Sequence, residues 1–349
     1  MKSWGEKPYH SLDYELKQRF GEKIYKLTLN GGMSCPNRDG KISYGGCIFC
    51  SEGGSGEFAS SAKLSIPEQI RDAKKRLSGK RPVNQYIAYF QAYTNTYAPI
   101  SHLRRIYTEA LNEPDVVALS IGTRCDCLND EVLNLLEELA HIKPIWIELG
   151  LQTIHNQTHA RLNTLTTVEL FDEAVDKLHA RNIPVITHVI LGLPGETKEM
   201  MLETISHIAS LPVSGIKLQL LHILKGTKLA FEYETEPFPV FELEGCRGRR
   251  ITVFRDRCII KTDATLGAIL TDNATDGAKT IFYKDVIGIQ YKEPGFVLGY
   301  LQLETGSNQM NNSKSNMFSE NTYTFDKNKE LVEEIRDYIT YQVSLHKQL

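Results

Sequence analysis

The sequence predicts an α/β chain in which six parallel strands joined by crossover helices precede a smaller antiparallel β domain. Between Ile24 and about Thr227, short apolar runs rich in β-branched residues alternate with stretches of helical period, the pattern of βα units. After about Leu243 the helical stretches give way to short alternating segments. A length of 349 residues with 41% apolar content is enough for two cores, and residues 1–243 and 246–349 are read as the two domains. From these patterns alone, the six strands suit an open barrel or a doubly wound sheet.

The strands are predicted at Ile24–Asn30, Gln85–Ala92, Val116–Gly122, Ile145–Gln152, Val185–Gly192 and Ile216–Ile223. Helices with apolar residues at three- and four-residue steps fall at Ile66–Leu77, Ile100–Leu111, Asp130–Leu139, Val168–Ala180 and Glu199–Ala209. In either architecture the functional residues gather at the carboxyl edge of the strands. The second domain is predicted from strands at Arg250–Phe254, Cys258–Thr262, Lys279–Phe282, Val286–Tyr291, Gly299–Glu304 and Thr322–Phe325. An Asn- and Ser-rich loop spans Gly306–Glu320, and a last helix from about Asn328 to Leu345 sets Leu331, Val332, Ile335, Tyr338, Ile339 and Val343 on one face.

Composition narrows the function. A net charge of -3 and a pI near 6.4 give no global basic field for nucleic acid. The N-terminus lacks the apolar core of a signal peptide and no run of about 18 apolar residues occurs, so a soluble cytoplasmic protein with no membrane span is expected. Seven cysteines, an odd number with three in one Gly-rich loop, fit metal ligation in a reducing compartment better than disulfides.

That loop, Cys35-Pro-Asn-Arg-Asp-Gly-Lys-Ile-Ser-Tyr-Gly-Gly-Cys47-Ile-Phe-Cys50, directly follows the first strand, and its glycines let backbone amides approach sulfur. Such a loop suits an iron–sulfur cluster. A 4Fe-4S cube held by three cysteines keeps one iron open to chelate a small molecule through an amine and a carboxylate. An electron passed to a bound sulfonium then breaks its C–S bond and releases a 5′-deoxyadenosyl radical, chemistry that belongs to the cofactor while the protein aims it. The alternative is a structural zinc site with Cys125 or Cys127 as fourth ligand, although such sites usually come as two close cysteine pairs. Inert core cysteines fit the polar, Gly-rich surroundings poorly.

The run from Ser34 to Glu57, with CPNRDG, GGCIFC and GSGEF, resembles the radical S-adenosylmethionine (SAM) enzymes of the YhcC and YtqA type, which are related to the radical domain of the Elp3 tRNA-modifying enzymes. The long interval before CxxC departs from the commoner CxxxCxxC loop and is shared by this group. YFQAYTNTYAP, SIGTRCDCL, IELGLQT, HVILGLPGET and LQLLHILKGT agree with it in order, so the resemblance covers roughly residues 1–243. It implies a partial (β/α)6 TIM-like barrel, a 4Fe-4S cluster on Cys35, Cys47 and Cys50, and SAM as the bound sulfonium. It further implies a flavodoxin- or ferredoxin-type reductant, with a tRNA wobble uridine or its side chain as substrate.

The resemblance also distributes contacts with SAM. Gln91, Thr94 and Asn95, ending the second strand, are implied for the methionine amino group. Arg124 with Asp126 holds a carboxylate or the adenosyl group by directional bonds, or forms a local ion pair. Cys125 stands where family members usually carry Pro, so Cys127 matches their pattern and Cys125 does not. Glu148 and Gln152, four apart on the fourth strand, point inward and are implied for the ribose or the methionine carboxylate. A charged residue inside a barrel is rarely structural. His188 and Gly192, with Gly195 beyond, end the fifth strand near the adenine, and Gln219, His222 and Lys225 face the substrate or the adenine.

The C-terminal segment resembles a bacterial pleckstrin-homology-like (PH-like) domain, a small β barrel capped by a helix. The likeness rests on strand order, the KTIFYKDVIGIQYK hairpin, GYLQL and the final helix. Arg247, Arg249, Arg250, Arg255 and Arg257 meet an anionic lipid or nucleic acid, or form a solvated face. Cys246 and Cys258 read as structural. Family members continue past FELE into a helix that follows the sixth strand and a further segment, and their replacement here predicts an uncovered apolar flank on that strand unless the second domain packs there. The competing function is a non-catalytic cluster-binding protein that recruits a partner through its PH-like domain.

Overall fold

The computed structural model describes residues 4–347 except 81, 236–238, 247, 264–276, 296 and 307–318. The chain divides into two compact units, Met1–Thr235 and Glu236–Leu349. In the first, β1 (Tyr25–Leu29), β2 (Tyr86–Phe90), β3 (Val116–Thr123), β4 (Ile145–Gln152), β5 (Val185–Leu191) and β6 (Gly215–Leu220) lie side by side in chain order, every neighbouring pair parallel. A doubly wound sheet reverses its strand order at a switch point, and this one never does. The six strands form a curled half-barrel, a partial TIM-like fold.

Helix α1 (Leu12–Phe20) precedes the sheet; α2 (Ile66–Arg76), α3 (Ile100–Leu111), α4 (Asp130–Ala140), α5 (Asn156–Leu162), α6 (Val168–His179) and α7 (Lys198–Ser210) fill the crossovers, and α8 (Lys228–Thr235) follows β6. Polar caps start six of these eight helices, with Ser11 accepting from the Tyr14 N–H on α1 and Thr227 from the Ala230 N–H on α8. Ser65 and Glu68 form a reciprocal capping box on α2, and Asn129, Thr167 and Thr197 each accept from a backbone N–H in the first turn of α4, α6 and α7. Their apolar faces join β1–β5 in one core that includes Leu27, Phe90, Leu103, Tyr107, Leu119, Leu136 and Phe171. Because helices cover the outer face, β2–β4 are apolar almost throughout.

β6 departs from that pattern. Its residues Ile216, Leu218 and Leu220 are 39, 53 and 68% exposed. Burial therefore predicts very different costs on neighbouring strands. Leu119→Ala in β3, where Leu119 is fully buried, should destabilise the unit by about 2–5 kcal/mol. Leu218→Lys should change its stability by less than about 0.5 kcal/mol. Urea unfolding followed by tryptophan fluorescence measures this unit alone, since both tryptophans, Trp4 and Trp146, lie in it.

The second unit holds two antiparallel sheets. One has the order β10 (Gly277–Phe282), β9 (Arg257–Thr262), β8 (Arg249–Val253), β7 (Phe241–Glu244), and the other the order β11 (Val286–Lys292), β12 (Gly299–Thr305), β13 (Thr322–Phe325). Helix α9 (Lys329–His346) buries Val332, Ile335, Ile339 and Val343 among Leu243, Ile251, Leu301 and Tyr323, the face anticipated for it. β7 moves the boundary earlier than the predicted 243, because Phe241–Glu244 pairs with β8. Most of the predicted loop Gly306–Glu320 lies outside the described residues, as does Arg247. The rest of the basic cluster is largely tied down. Arg249 donates to the Ser319 and Thr322 carbonyls, Arg250 pairs with Glu244, and Arg257 pairs with Asp256 and stacks on Phe254.

Candidate functional site

The inner face and carboxyl ends of the half-barrel strands enclose a cavity of about 440 Å³, a volume suited to a small molecule. Cys35, Cys47 and Cys50 stand on its wall. The loop that carries them is pinned by polar clamps rather than by regular structure. Asn37, fully buried, donates to the Asn163 carbonyl at 2.6 Å, and Asn163 donates back to the Gly46 carbonyl at 2.9 Å. Asn163 can do so because it ends α5 in the left-handed region, at φ 54°. Ile48 donates its N–H to Leu162 and accepts from Leu229, so α5 and α8 both brace the loop. Gly46 is required: at φ +80° with Arg38 packed over it, a Cβ would lie 2.8 Å from the guanidinium. Arg38 donates to the Cys50 and Ser51 carbonyls and covers the Tyr93 ring.

Deeper in the cavity, each strand contributes one polar side chain to a single network. The residues are Lys26 on β1, Tyr89 on β2, Ser120 on β3, Glu148 on β4, His188 on β5 and Lys217 on β6. Glu148 is at its centre, 1% exposed. Its Oε1 accepts from Lys26 Nζ and from Ser120 Oγ at 2.5 Å, and its Oε2 accepts from His188 Nε2 at 2.7 Å. The ammoniums of Lys26 and Lys217 lie 4.6 and 5.7 Å from the Tyr89 ring centroid. Burial pushes the Glu148 carboxyl up, but the His188 hydrogen bond and the Lys26 charge outweigh it and hold the group well below the usual carboxylate range. Burial also holds His188 below its ordinary value, so a neutral imidazole donates through Nε2. Burial and the Glu148 charge raise the Tyr89 phenol.

Of the residues singled out in the sequence, Gln91, Thr94, Arg124, Glu148, Gln152, His188 and Gln219 line this cavity together with the three cysteines, and so does His222. Asn95, Asp126, Gly192 and Lys225 are not on its wall. Tyr93 takes φ +61°, which turns the chain, and Asn95 then buries its amide against the Phe90 and Gly122 carbonyls as a strand-end clamp. Asp126 grips Arg124 through Nε at 2.9 Å and Nη2 at 2.7 Å and lines a second cavity instead. The doublet forms an ion pair, and the Thr164 carbonyl is a further partner for Arg124. Gln152 reaches the cavity from φ +72°, past a register shift between β4 and β5. Lys26, Tyr89, Ser120, Lys217, Asn37 and Asn163 were not anticipated; a lysine at an inward position of β1 or β6 was the available signal.

The profile of the Radical SAM superfamily matches residues 35–208, spanning the cysteine loop and strands β2–β5. The protein YtqA of Bacillus subtilis is 47% identical over 66% of this chain and 71% of its own length. YhcC of Escherichia coli is 40% identical over 66% of this chain and 74% of its own. The chain belongs to the radical SAM superfamily. Among solved structures, the Methanocaldococcus infernus Elp3 with an N-terminal deletion matches 62% of this chain and 50% of its own, at 18% identity and a TM-score of 0.46.

Radical SAM proteins use a 4Fe-4S cluster and SAM. The donors present suit that cluster. Cys35, Cys47 and Cys50 are free thiols, and Asn37 Nδ2 lies 3.6 Å from Cys47 Sγ, a donor placed to steady charge on sulfur. Burial, reinforced by Cys50 and Cys35 and opposed by Arg124, pushes the Cys47 thiol up to about 12, so metal binding there must expel a proton. Among the described residues no three His, Cys, Asp or Glu side chains converge to hold a single ion, and thiolates bound to separate corners of a cube need no such convergence. Cys125 is buried in the core beside α4, and Cys127 donates to Asp126 at 3.6 Å. Among the described residues no helix is long and apolar enough to cross a membrane.

Proposed function

We propose that this protein is a radical SAM enzyme that reductively cleaves SAM and abstracts hydrogen from a second molecule, with Cys35, Cys47 and Cys50 as the cluster ligands. The observation that carries the reading is one cavity shared by three free thiols and the polar ends of β2–β6. When bound, the cluster and SAM supply the electron and the 5′-deoxyadenosyl radical. Gln91 and Thr94 bind the methionine end, Arg124 and Gln152 orient its carboxylate or the ribose, and Gln219 faces the adenine or the substrate. Glu148 and His188, whose facing atoms are already bonded to each other, shape the floor beneath. A flavodoxin- or ferredoxin-type protein delivers the electron.

The substrate reading is a tRNA wobble uridine or its side chain, supported by the Elp3-like sequence motifs. The second unit, with its four- and three-stranded sheets and closing helix, fits a PH-like module. A second reading, a cluster-binding protein that does not turn over, is favoured by the exposed apolar residues Ile216 and Leu218 on β6.

Oxygen-free purification with iron and sulfide analysis, then a 5′-deoxyadenosine assay with dithionite, decides between them. About four irons per chain with deoxyadenosine formation establishes the enzyme. A cluster without cleavage establishes the second reading, and zinc or no metal overturns both. The loop clamp adds a graded prediction: Asn37→Ala leaves the Asn163 carbonyl short of a donor, costs about 1–3 kcal/mol, and should speed loss of visible cluster absorbance to a chelator several-fold.

A further inference from the structure

The network beneath the cavity is not balanced in charge. Two ammoniums, Lys26 and Lys217, face one carboxylate, Glu148, and His188 is neutral, which leaves one positive charge over. A carboxylate has about four lone-pair sites. Lys26, Ser120 and His188 occupy three of them, and the Tyr89 phenol also faces the group. Lys217 is the partner left at the margin, its Nζ 3.9 Å from Glu148 Oε2, beyond hydrogen-bond reach. Its side chain is 38% exposed and lines the cavity. Burial, against the pull of Glu148, holds the ammonium below its ordinary range, so the cavity as it stands does not satisfy that charge. An anion would satisfy it.

We infer that Lys217 is the docking point for an oxyanion, a carboxylate or a phosphate, carried by the molecule on which this enzyme acts. The inference rests on the radical SAM reading of the same cavity. Its placement is specific, because Glu148 Oε2 at 3.9 Å and the Tyr89 ring centroid at 5.7 Å draw the Lys217 ammonium to the cavity wall while the like charge of Lys26 opposes a closer approach to the floor. Lys26 adds a second positive charge at the floor. Lys217 is thus a specificity-determining residue that selects anionic over neutral substrates and sets which end of them points inward.

Inorganic phosphate and acetate serve as probes on the anaerobically reconstituted protein, with ionic strength held constant by chloride. Either anion should slow amine-directed labelling of Lys217, mapped by mass spectrometry, several-fold while labelling of the exposed Lys228 is unchanged. It should also raise the melting temperature. Lys217→Met should lose that rise, and Lys217→Arg should keep it. Stronger protection by phosphate than by acetate assigns a phosphate, and the reverse assigns a carboxylate. The inference is overturned if neither anion protects Lys217, if the rise persists in Lys217→Met, or if SAM alone protects Lys217 fully. Deoxyadenosine formation is read on the same preparations, so a failure of the radical reading shows there, independently of anion protection.

Discussion

Replacing Cys35, Cys47 and Cys50 together by alanine should remove bound iron and take 5′-deoxyadenosine formation below detection, while the first unit stays folded. The second half of that expectation follows from how the loop is held. Arg38 donates its backbone N–H to the Cys35 carbonyl at 2.8 Å, Gly46 to the Asn37 carbonyl at 2.8 Å, and Cys50 to the Cys47 carbonyl at 3.0 Å. These bonds use main-chain atoms that alanine retains, and the Asn37 and Asn163 clamp is untouched. The ligand sulfurs take few hydrogen bonds, a long one from Asn37 to Cys47 and one from the Arg38 side chain to Cys50. The apoprotein should therefore lose no more than about 1 kcal/mol of stability. Two further variants test the choice of ligands. Cys127→Ser should keep its iron, and Cys125→Ala should keep its iron while losing core packing, since Cys125 lies among Leu128, Val132 and Leu133. Iron lost in Cys127→Ser would instead bring that thiol into the cluster site.

The parts of this site that were legible in the sequence are those set by one strand or one loop at a time. The cysteine spacing is local, and so is the two-residue alternation that sends Glu148 and Gln152 inward. The polar floor is different. Which rung of β1 meets which rung of β4 across a half-barrel depends on the stagger of three successive strand pairs, and no single strand encodes it. Lys26 and Lys217 read as ordinary lysines until that stagger brings them to one carboxylate. Asn95 shows the converse: next to Thr94 in sequence, it leaves the cavity because Tyr93 reverses the chain with a positive φ. β7 and α5 were missed because four and seven residues are too few for their periodicity to register.

Glu148→Ala should destabilise the first unit by about 3–5 kcal/mol, the largest effect of any single substitution in the cavity. The loss comes from what remains: Lys26 and Lys217 would keep their charges in a walled space with no counter-ion, and His188 would lose its acceptor. Glu148→Gln should cost less, because an amide oxygen still accepts from Lys26 and Ser120. The pH dependence follows from the same groups. Glu148 is held below its unfolded value, so its contribution is complete above the ordinary carboxylate range and is lost as pH falls through the folded value. His188 is also held below its unfolded value, so as pH falls below about 6.5 the unfolded chain takes up a proton that the folded one refuses. Both terms make acid destabilising, with the histidine acting first. Urea titrations at a series of pH values should show the carboxylate part of that slope vanish in Glu148→Ala. Adding Lys26→Met to Glu148→Ala should restore part of the lost stability, since the second change removes the charge that the first left unpaired. If the two losses simply added, Lys26 and Glu148 would not be coupled, and the six-strand floor would be a coincidence of positions rather than one electrostatic unit.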